Sequence, residues 1–348
     1  MINVNLEDYH YTLPKELIAK YPACDREMSR LMVLDRKNRR ITHRHFYEII
    51  NYLNPGDLVV RNISQVVPAR LIGYREQTGG KVEILPLQVF SSSDSELPAL
   101  VKCRGRLKPG ERILLPGDRS VIYLGKGQDV PRIKFEFPDL LTYLYKYGKI
   151  PLPPYIRRED EEQDRERYQT VYAYKPGSVA APTAGLHFTR RLIENLKNKG
   201  IQFTDVILHI SYATFKPISH SELISGKLHR EYFEISEEAA EKINEFKSKG
   251  NRVIAVGTTT VRVLESQVVK KNYGYGVKAG KGTTDLFIYP PYEFKIIDGL
   301  ITNFHLPKTS LLLLVSAFCG RDFLLTAYQE AVRERYRFFS YGDCMFIL

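Results

Sequence analysis

Apolar positions along the chain change their spacing twice, and the changes divide it into three stretches. Residues 12–61 mix periods. Leu13-Pro14-Lys15-Glu16-Leu17-Ile18 predicts a short helix with Pro in its first turn. Leu31-Met32-Val33-Leu34 predicts a short buried strand, and Phe46, Ile49, Ile50 and Leu53 share one helical face. Asn54-Pro55-Gly56-Asp57 is a turn before a second strand, Leu58-Val59-Val60. From about Val66 to Ile150 the texture becomes short apolar runs: 69–72, 81–89, 99–102, 112–115, 120–124 and 132–137. Turn formers separate them, at Gly79-Gly80, Ser91 to Asp94, Lys108-Pro109-Gly110 and Pro116-Gly117-Asp118. Many short strands at close spacing predict a small β-barrel. From Pro151 onward helices and strands alternate: helix 190–199, strand 203–210, helix 237–249, strand 252–256, then helices 311–318 and 324–336. Gly200 and Gly250 end two of these helices, a helix–Gly–strand repetition that signals a mostly parallel α/β arrangement. The expected fold class is therefore α/β: a discontinuous main domain, residues 1–65 and 151–348, with an inserted barrel domain at 66–150.

The 348 residues include 43% hydrophobic and 26% charged positions, ordinary for a folded chain long enough for two domains. Lys and Arg number 51 against 40 Asp and Glu, a formal charge of +11. That excess suits a polyanionic partner, and it equally suits an enzyme that happens to be basic. Cys24, Cys103, Cys319 and Cys344 lie far apart, which excludes a C-x-x-C motif and predicts reduced thiols. Met1 to His10 is polar, without the apolar core of a signal peptide. The longest apolar run, Leu311 to Phe318, is far short of the roughly 20 residues that span a bilayer. No membrane association and a cytoplasmic location are expected.

Three islands interrupt the periodic pattern. Ser178 to Thr189 gathers small residues, Pro182, Thr183, Gly185 and His187 into a stretch with no regular period, the kind of turn that presents an imidazole. Val253 to Thr260 is an apolar strand running into Gly257, Thr258 and Thr259. Ligands bind α/β sheets at such strand ends, so these hydroxyls either hold a carboxylate or a ribose or simply cap a helix. Thr302 to Ser310 places Asn303 and His305 at a strand-to-turn passage before a helix, where His305 is either a ligand group or a satisfied core residue. Elsewhere, His229 and Glu231 alternate within Leu228 to Tyr232 and share a face if this is a strand, as a proton-transfer pair or as a surface ion pair. Gly274, Gly276, Gly280 and Gly282 miss both the P-loop and G-x-G-x-x-G spacings, which excludes nucleotide binding there and leaves a flexible lid as the expectation. H-x-x-x-H, H-x-x-E-H and deaminase spacings are missing, so no catalytic metal is expected.

Read in order, these runs resemble the S-adenosylmethionine:tRNA ribosyltransferase-isomerase family of queuosine biosynthesis. The resemblance covers almost the whole chain. It is carried by Asp25-Arg26, Ser29-Arg30-Leu31, His43-Arg44-His45-Phe46, Leu53 to Asp57, Pro68-Ala69-Arg70-Leu71, Pro153-Pro154-Tyr155-Ile156 and Ala180 to Thr189. Ala255 to Thr259, Asp285 to Pro290, Thr302 to Pro307 and Ser340 to Asp343 complete it. It implies an α/β domain with an inserted barrel, no metal, and S-adenosylmethionine as co-substrate. It also implies transfer of the ribosyl group to the 7-aminomethyl-7-deazaguanine base at the tRNA wobble position, with isomerisation to epoxyqueuosine and release of adenine and methionine. The chemistry needs a base at the acidic ribose carbon beside the sulfonium, a donor to adenine and a positioned amine nucleophile. On the matching positions, proton transfer falls to His187, to His229 with Glu231, and to His305. Cofactor binding falls to Thr183, Gly185, Thr258, Thr259 and Asn303, with Asp285 and Asp343 offsetting the sulfonium. The partner is tRNA, whose phosphates the basic surplus serves, and a monomer is expected.

Three departures from the family pattern stand out. Asn62-Ile63-Ser64-Gln65 occupies the place of Asn-Asp-Thr-Arg, so an acid and a base are gone. Ser211-Tyr212-Ala213 replaces a Gly-rich turn before Thr214-Phe215, and Arg230 replaces a smaller residue between His229 and Glu231. These leave a second reading open: a divergent paralogue that binds RNA or S-adenosylmethionine without the reaction, or acts on another substrate.

Overall fold

The structure, a computed structural model, describes residues 4–89, 95–127, 130–215 and 218–348. The predicted turn at Ser91 to Asp94 lies outside the described residues. A nine-stranded sheet is the frame. Its order is Gly280–Leu286, Lys227–Ile235, Gln202–Leu208, Leu58–Asn62, Val253–Val256, Gly299–Asn303, Cys344–Ile347, Arg30–Asp35 and Arg40–His45. Apolar alternation explains why this sheet lies between two layers. Leu58 and Val60 enter one core with Met32, Val253, Ala255 and Leu300, while Val59 enters the opposite one with Leu31, Val33, Ile254 and Val256. Both faces are buried, so the central strands read as continuous hydrophobic runs rather than alternating ones. The first core is covered by helices Glu237–Ser248, Ser310–Cys319 and Arg321–Arg333, and the second by Arg190–Asn198 and the 3-10 turn Phe46–Asn51.

The expectation of a mostly parallel sheet needs correcting. The four central strands from Gln202–Leu208 to Gly299–Asn303 are parallel, as are Cys344–Ile347 and Arg30–Asp35, but the other pairs toward both edges are antiparallel. Strand direction depends on where the chain returns, which apolar spacing does not encode. The expected lid at Gly274 to Gly282 is corrected too. Gly274–Val277 pairs with Val268–Lys271 as a hairpin, and Gly280–Leu286 is the sheet's edge strand against Lys227–Ile235. A Cβ on Gly276 would sit 2.3 Å from the Asn244 side chain, whose amide bonds the Val277 backbone. This glycine serves close packing. The helix expected near Leu13 to Ile18 is a 3-10 turn, Lys15–Leu17, after Pro14.

The six short apolar runs form a closed barrel of Leu71–Arg75, Lys81–Pro86, Glu96–Cys103, Glu111–Leu115, Arg119–Lys126 and Pro131–Phe135. Its interior is Leu71, Val82, Ile84, Ala99, Ile113, Val121 and Ile133, one face of each strand. Helix Leu140–Tyr147 follows, packing Tyr143 and Leu144 against that core. The chain leaves and re-enters the main sheet region at one place, where Arg70 and Lys149 exchange backbone hydrogen bonds. A Cβ on the neighbouring Gly148 would lie 1.7 Å from the Pro68 carbonyl, so only glycine permits this closure. Among the described residues no single helix is long and apolar enough to cross a membrane; the apolar pair Ser310–Cys319 and Arg321–Arg333 is bent by 114° and packs into the core.

Candidate functional site

The carboxyl ends of the parallel strands Val253–Val256 and Gly299–Asn303 open into a cleft with about 700 Å³ of empty space, part of it open to solvent. The position is where α/β sheets bind ligands. Pro182-Thr183-Ala184 forms one wall, Gly257-Thr258-Thr259 another, and Asn303 with His305 a third; Tyr155, Thr214, Phe339 and Ser340 close the rest. Among the described residues no Lys, Arg, Asp or Glu lines it.

Each wall follows from its sequence. Gly257 takes φ +88°, outside the range ordinary side chains favour, which turns the strand end into helix Thr258–Ser266. No side chain caps that helix. Thr260 donates back to the Val256 carbonyl at 2.7 Å, while Thr258 and Thr259 face the cleft, so helix capping does not account for them. Asn303 donates its amide to the Phe339 carbonyl at 3.0 Å, and its Oδ1 is buried with no partner. A buried unsatisfied acceptor beside a cleft is a place for a ligand donor. His305 Nε2 lies 2.8 Å from Thr302 Oγ1, and its backbone N–H donates to Tyr328 Oη at 2.9 Å. Burial lowers the His305 pKa to about 3, so the imidazole is neutral.

His187 meets Asn303 through its side chain but is not in the cleft lining. It lines a smaller neighbouring cavity, and Ser340 is common to both. Its Nδ1 lies 2.7 Å from Ser29 Oγ, and its Nε2 is buried with no partner. Burial lowers its pKa to about 3; Asn303 opposes that shift and the charges of Arg337 and Arg26 add to it.

Behind the cleft lies a buried ion pair. Arg262, on the helix that starts at Gly257, bonds the Glu231 carboxylate, and the two side chains are 4% and 0% exposed. Glu231 also accepts from the Ser211 backbone at 2.8 Å and from Thr214 Oγ1 at 3.0 Å, and so fixes a wall of the cleft. His229 Nε2 approaches Glu231 at 3.4 Å, and Glu222 lies beyond it at 3.8 Å from Nδ1. Burial alone would raise the Glu231 pKa, but Arg262 and His229 hold it at about 2. Burial would lower that of His229, but Glu222 and Glu231 raise it to about 9. His229 and Glu231 thus face each other as the alternation predicts, in a buried network rather than a surface pair.

Three other candidates lie off the cleft lining. Asp343 accepts the backbone N–H groups of Arg30 and Arg337, and burial raises its pKa. Asp285 is 3.5 Å from Lys227 and 3.9 Å from Arg230. A Cβ on Gly185 would lie 2.1 Å from Tyr172 Oη, so this glycine admits a ring. Tyr155, Thr214, Phe339 and Ser340 also line the cleft; all but Phe339 fall in the motif runs. Among the departures, Asn62 keeps its place: its side chain bonds both the N–H and carbonyl of Leu208 and the Ser64 N–H. Tyr212 lines the groove beside the barrel and not the cleft, so it does not fill the ligand space. Arg230 points outward, 74% exposed. Among the described residues no three His, Cys, Asp or Glu side chains are grouped to hold a metal ion.

Sheet, barrel and strand-end cleft together define an α/β protein with a candidate ligand site. The chain matches the queuosine biosynthesis protein family over residues 6–347, and it belongs to that family. The S-adenosylmethionine:tRNA ribosyltransferase-isomerase of Sulfurihydrogenibium sp. (strain YO3AOP1) is 51% identical over 347 residues, 99% of this chain and 100% of that protein. The protein of that name from Carboxydothermus hydrogenoformans has the same identity and coverage. The crystal structure of S-adenosylmethionine tRNA ribosyltransferase from Thermotoga maritima is 41% identical and covers 98% of this chain and 100% of its own, with a TM-score of 0.54.

Two outcomes follow. Glu231→Gln leaves Arg262 buried without its counter-charge and is expected to destabilise the fold by about 3 kcal/mol; an unchanged urea midpoint contradicts the pair's role. The second concerns pH. His187 and His305 bind protons in the unfolded chain below about 6.5 but not in the folded one until about 3, so stability falls as pH drops through that window. His229, raised to about 9, contributes stability present below 6.5 and lost as pH rises toward 9. The melting temperature is expected to peak near pH 6.5, and His305→Asn to flatten the acid limb; an acid limb starting only at carboxylate pKa values contradicts this.

Proposed function

We propose that this enzyme transfers and isomerises the ribosyl group of S-adenosylmethionine onto 7-aminomethyl-7-deazaguanine at the wobble position of tRNA, giving epoxyqueuosine, adenine and methionine. The observation that carries the reading is that Thr183, Thr258, Thr259, Asn303 and His305, from three separate motif runs, converge on one strand-end cleft, in a chain matched end to end by relatives of that name. S-adenosylmethionine supplies a sulfonium that acidifies the adjoining ribose carbon.

The residues divide the remaining work by charge state. Thr183, Thr258, Thr259 and the unpartnered Asn303 Oδ1 hold ribose hydroxyls and the α-amino group. The charge-free lining and the flat faces of Tyr155 and Phe339 accept a base. His187 and His305 are neutral and able to take a proton; His229 is protonated and able only to give one, or to hold Glu231. Grooves along the barrel, lined by Lys102, Arg106, Lys126 and Arg157, suit an RNA backbone. The same reading divides the chain into a main domain of 1–65 and 151–348 and a barrel domain of 66–150, acting as a cytoplasmic monomer. No observation favours a non-catalytic relative.

The test is mass analysis of nucleosides after incubation with S-adenosylmethionine and tRNA bearing 7-aminomethyl-7-deazaguanine. Epoxyqueuosine and free adenine are expected from the parent, with loss of both in Asn303→Ala and His187→Ala. No product, with a related enzyme active alongside, contradicts the reading.

A further inference from the structure

The small cavity beside His187 has a different character from the main cleft. It is much smaller, with about 270 Å³ of empty space that includes open solvent, and is lined by Arg26, Arg167, Ser29, His187, Ser340 and Tyr341 among others. Among the described residues no carboxylate lines it. Arg26 donates to the Leu186 and Glu166 carbonyls, both at 3.0 Å. Arg167 donates to the carbonyls of Cys24 and Ala23, at 3.1 and 2.5 Å. All four acceptors are neutral backbone oxygens, and the Glu166 carboxylate acts on Arg26 only through space, without a hydrogen bond to it. A guanidinium carries five N–H groups, and Arg167 Nε–H is buried with no acceptor. His187, 4% exposed, also lines it, with Nδ1 2.7 Å from Ser29 Oγ. An unsatisfied buried guanidinium N–H beside a cationic cavity calls for an acceptor-rich anion. The charges of Arg26 and Arg337 both disfavour a protonated His187, in keeping with a positive field at this point.

The main cleft shows the complementary lack. A ligand that carries a carboxylate finds no cation in its lining, and the two spaces share Ser340 as a wall. We propose that Arg26 and Arg167 form an anion subsite that takes the α-carboxylate of S-adenosylmethionine while the nucleoside occupies the main cleft. This rests on the S-adenosylmethionine reading above. An RNA phosphate offers similar chemistry, but a subsite behind a half-buried arginine pair that shares the Ser340 wall with the nucleoside cleft suits a group tethered to that nucleoside.

The test compares affinities for S-adenosylmethionine and for its decarboxylated analogue by titration calorimetry, and for tRNA by filter binding, in the parent, Arg167→Gln and Arg26→Gln. The parent is expected to prefer the carboxylate-bearing ligand by about tenfold or more, the worth of one charge-assisted hydrogen bond. Each variant is expected to lose that preference while keeping its affinity for the analogue and for tRNA. Three results overturn the subsite: unchanged S-adenosylmethionine affinity in the variants, equal losses for both small ligands, or loss of tRNA affinity alone, which reassigns it to a phosphate. If a variant fails to fold, the parent decides by itself, and a preference near unity overturns the proposal. A parent that binds neither small ligand overturns the functional reading as well, whereas binding without preference overturns only this one.

Discussion

The Arg262–Glu231 ion pair is the constraint on which the site depends. Both charges are removed from water, which is tolerable only when each finds the other and the remaining donors and acceptors are filled. They are filled: Arg262 also donates to the Leu286 and Thr284 carbonyls, and Glu231 accepts from Ser211 and Thr214. One pair therefore ties the helix that begins at the cleft to two strands at the sheet's edge and to the Ser211–Thr214 wall. Moving any of these elements alone would strand a charge. Rigidity at a site built from separated chain segments is obtained here electrostatically, behind the site and not in it.

That arrangement lets the cleft itself stay free of formal charge. Thr258, Thr259, Thr183 and Asn303 offer hydroxyls and amides, and the neutral His305 offers an imidazole. On the proposed reading, such a lining suits a positively charged sulfonium that must not be held too firmly by a counter-ion, and a neutral base that must not carry a proton at the start. Positive charge gathers instead one wall away, at Arg26 and Arg167. The separation of charge-free and cationic compartments is the electrostatic theme of the molecule.

Much of this was legible in the sequence, and the exceptions have physical causes. The six barrel strands were visible because each is short, half-buried and bounded by turn formers, so spacing alone located them. The strand ends at Gly257 and Asn303 were visible because an apolar run stopping at Gly-Thr-Thr or Asn-Phe-His breaks periodicity abruptly. Strand direction was not visible, which is why the antiparallel edges escaped. The glycines from 274 to 282 read as a lid because composition cannot distinguish a glycine kept for mobility from Gly276, kept for contact with Asn244. Asp343 and Gly185, both in motif runs, have structural contacts of their own, one bonding two backbone amides and one admitting the Tyr172 ring. The role of Arg262 could not be read, because its partner lies 31 residues away on another strand.

The central claim is that one strand-end cleft, with its cationic annex, is where S-adenosylmethionine binds. A crystal structure of the protein grown with S-adenosylmethionine tests it most directly. The account predicts density for the nucleoside between Pro182–Ala184, Gly257–Thr259 and Asn303–His305, with ribose or amino groups within hydrogen-bond distance of Asn303 Oδ1. Density elsewhere, such as the groove beside the barrel, with the cleft filled only by water, would contradict it.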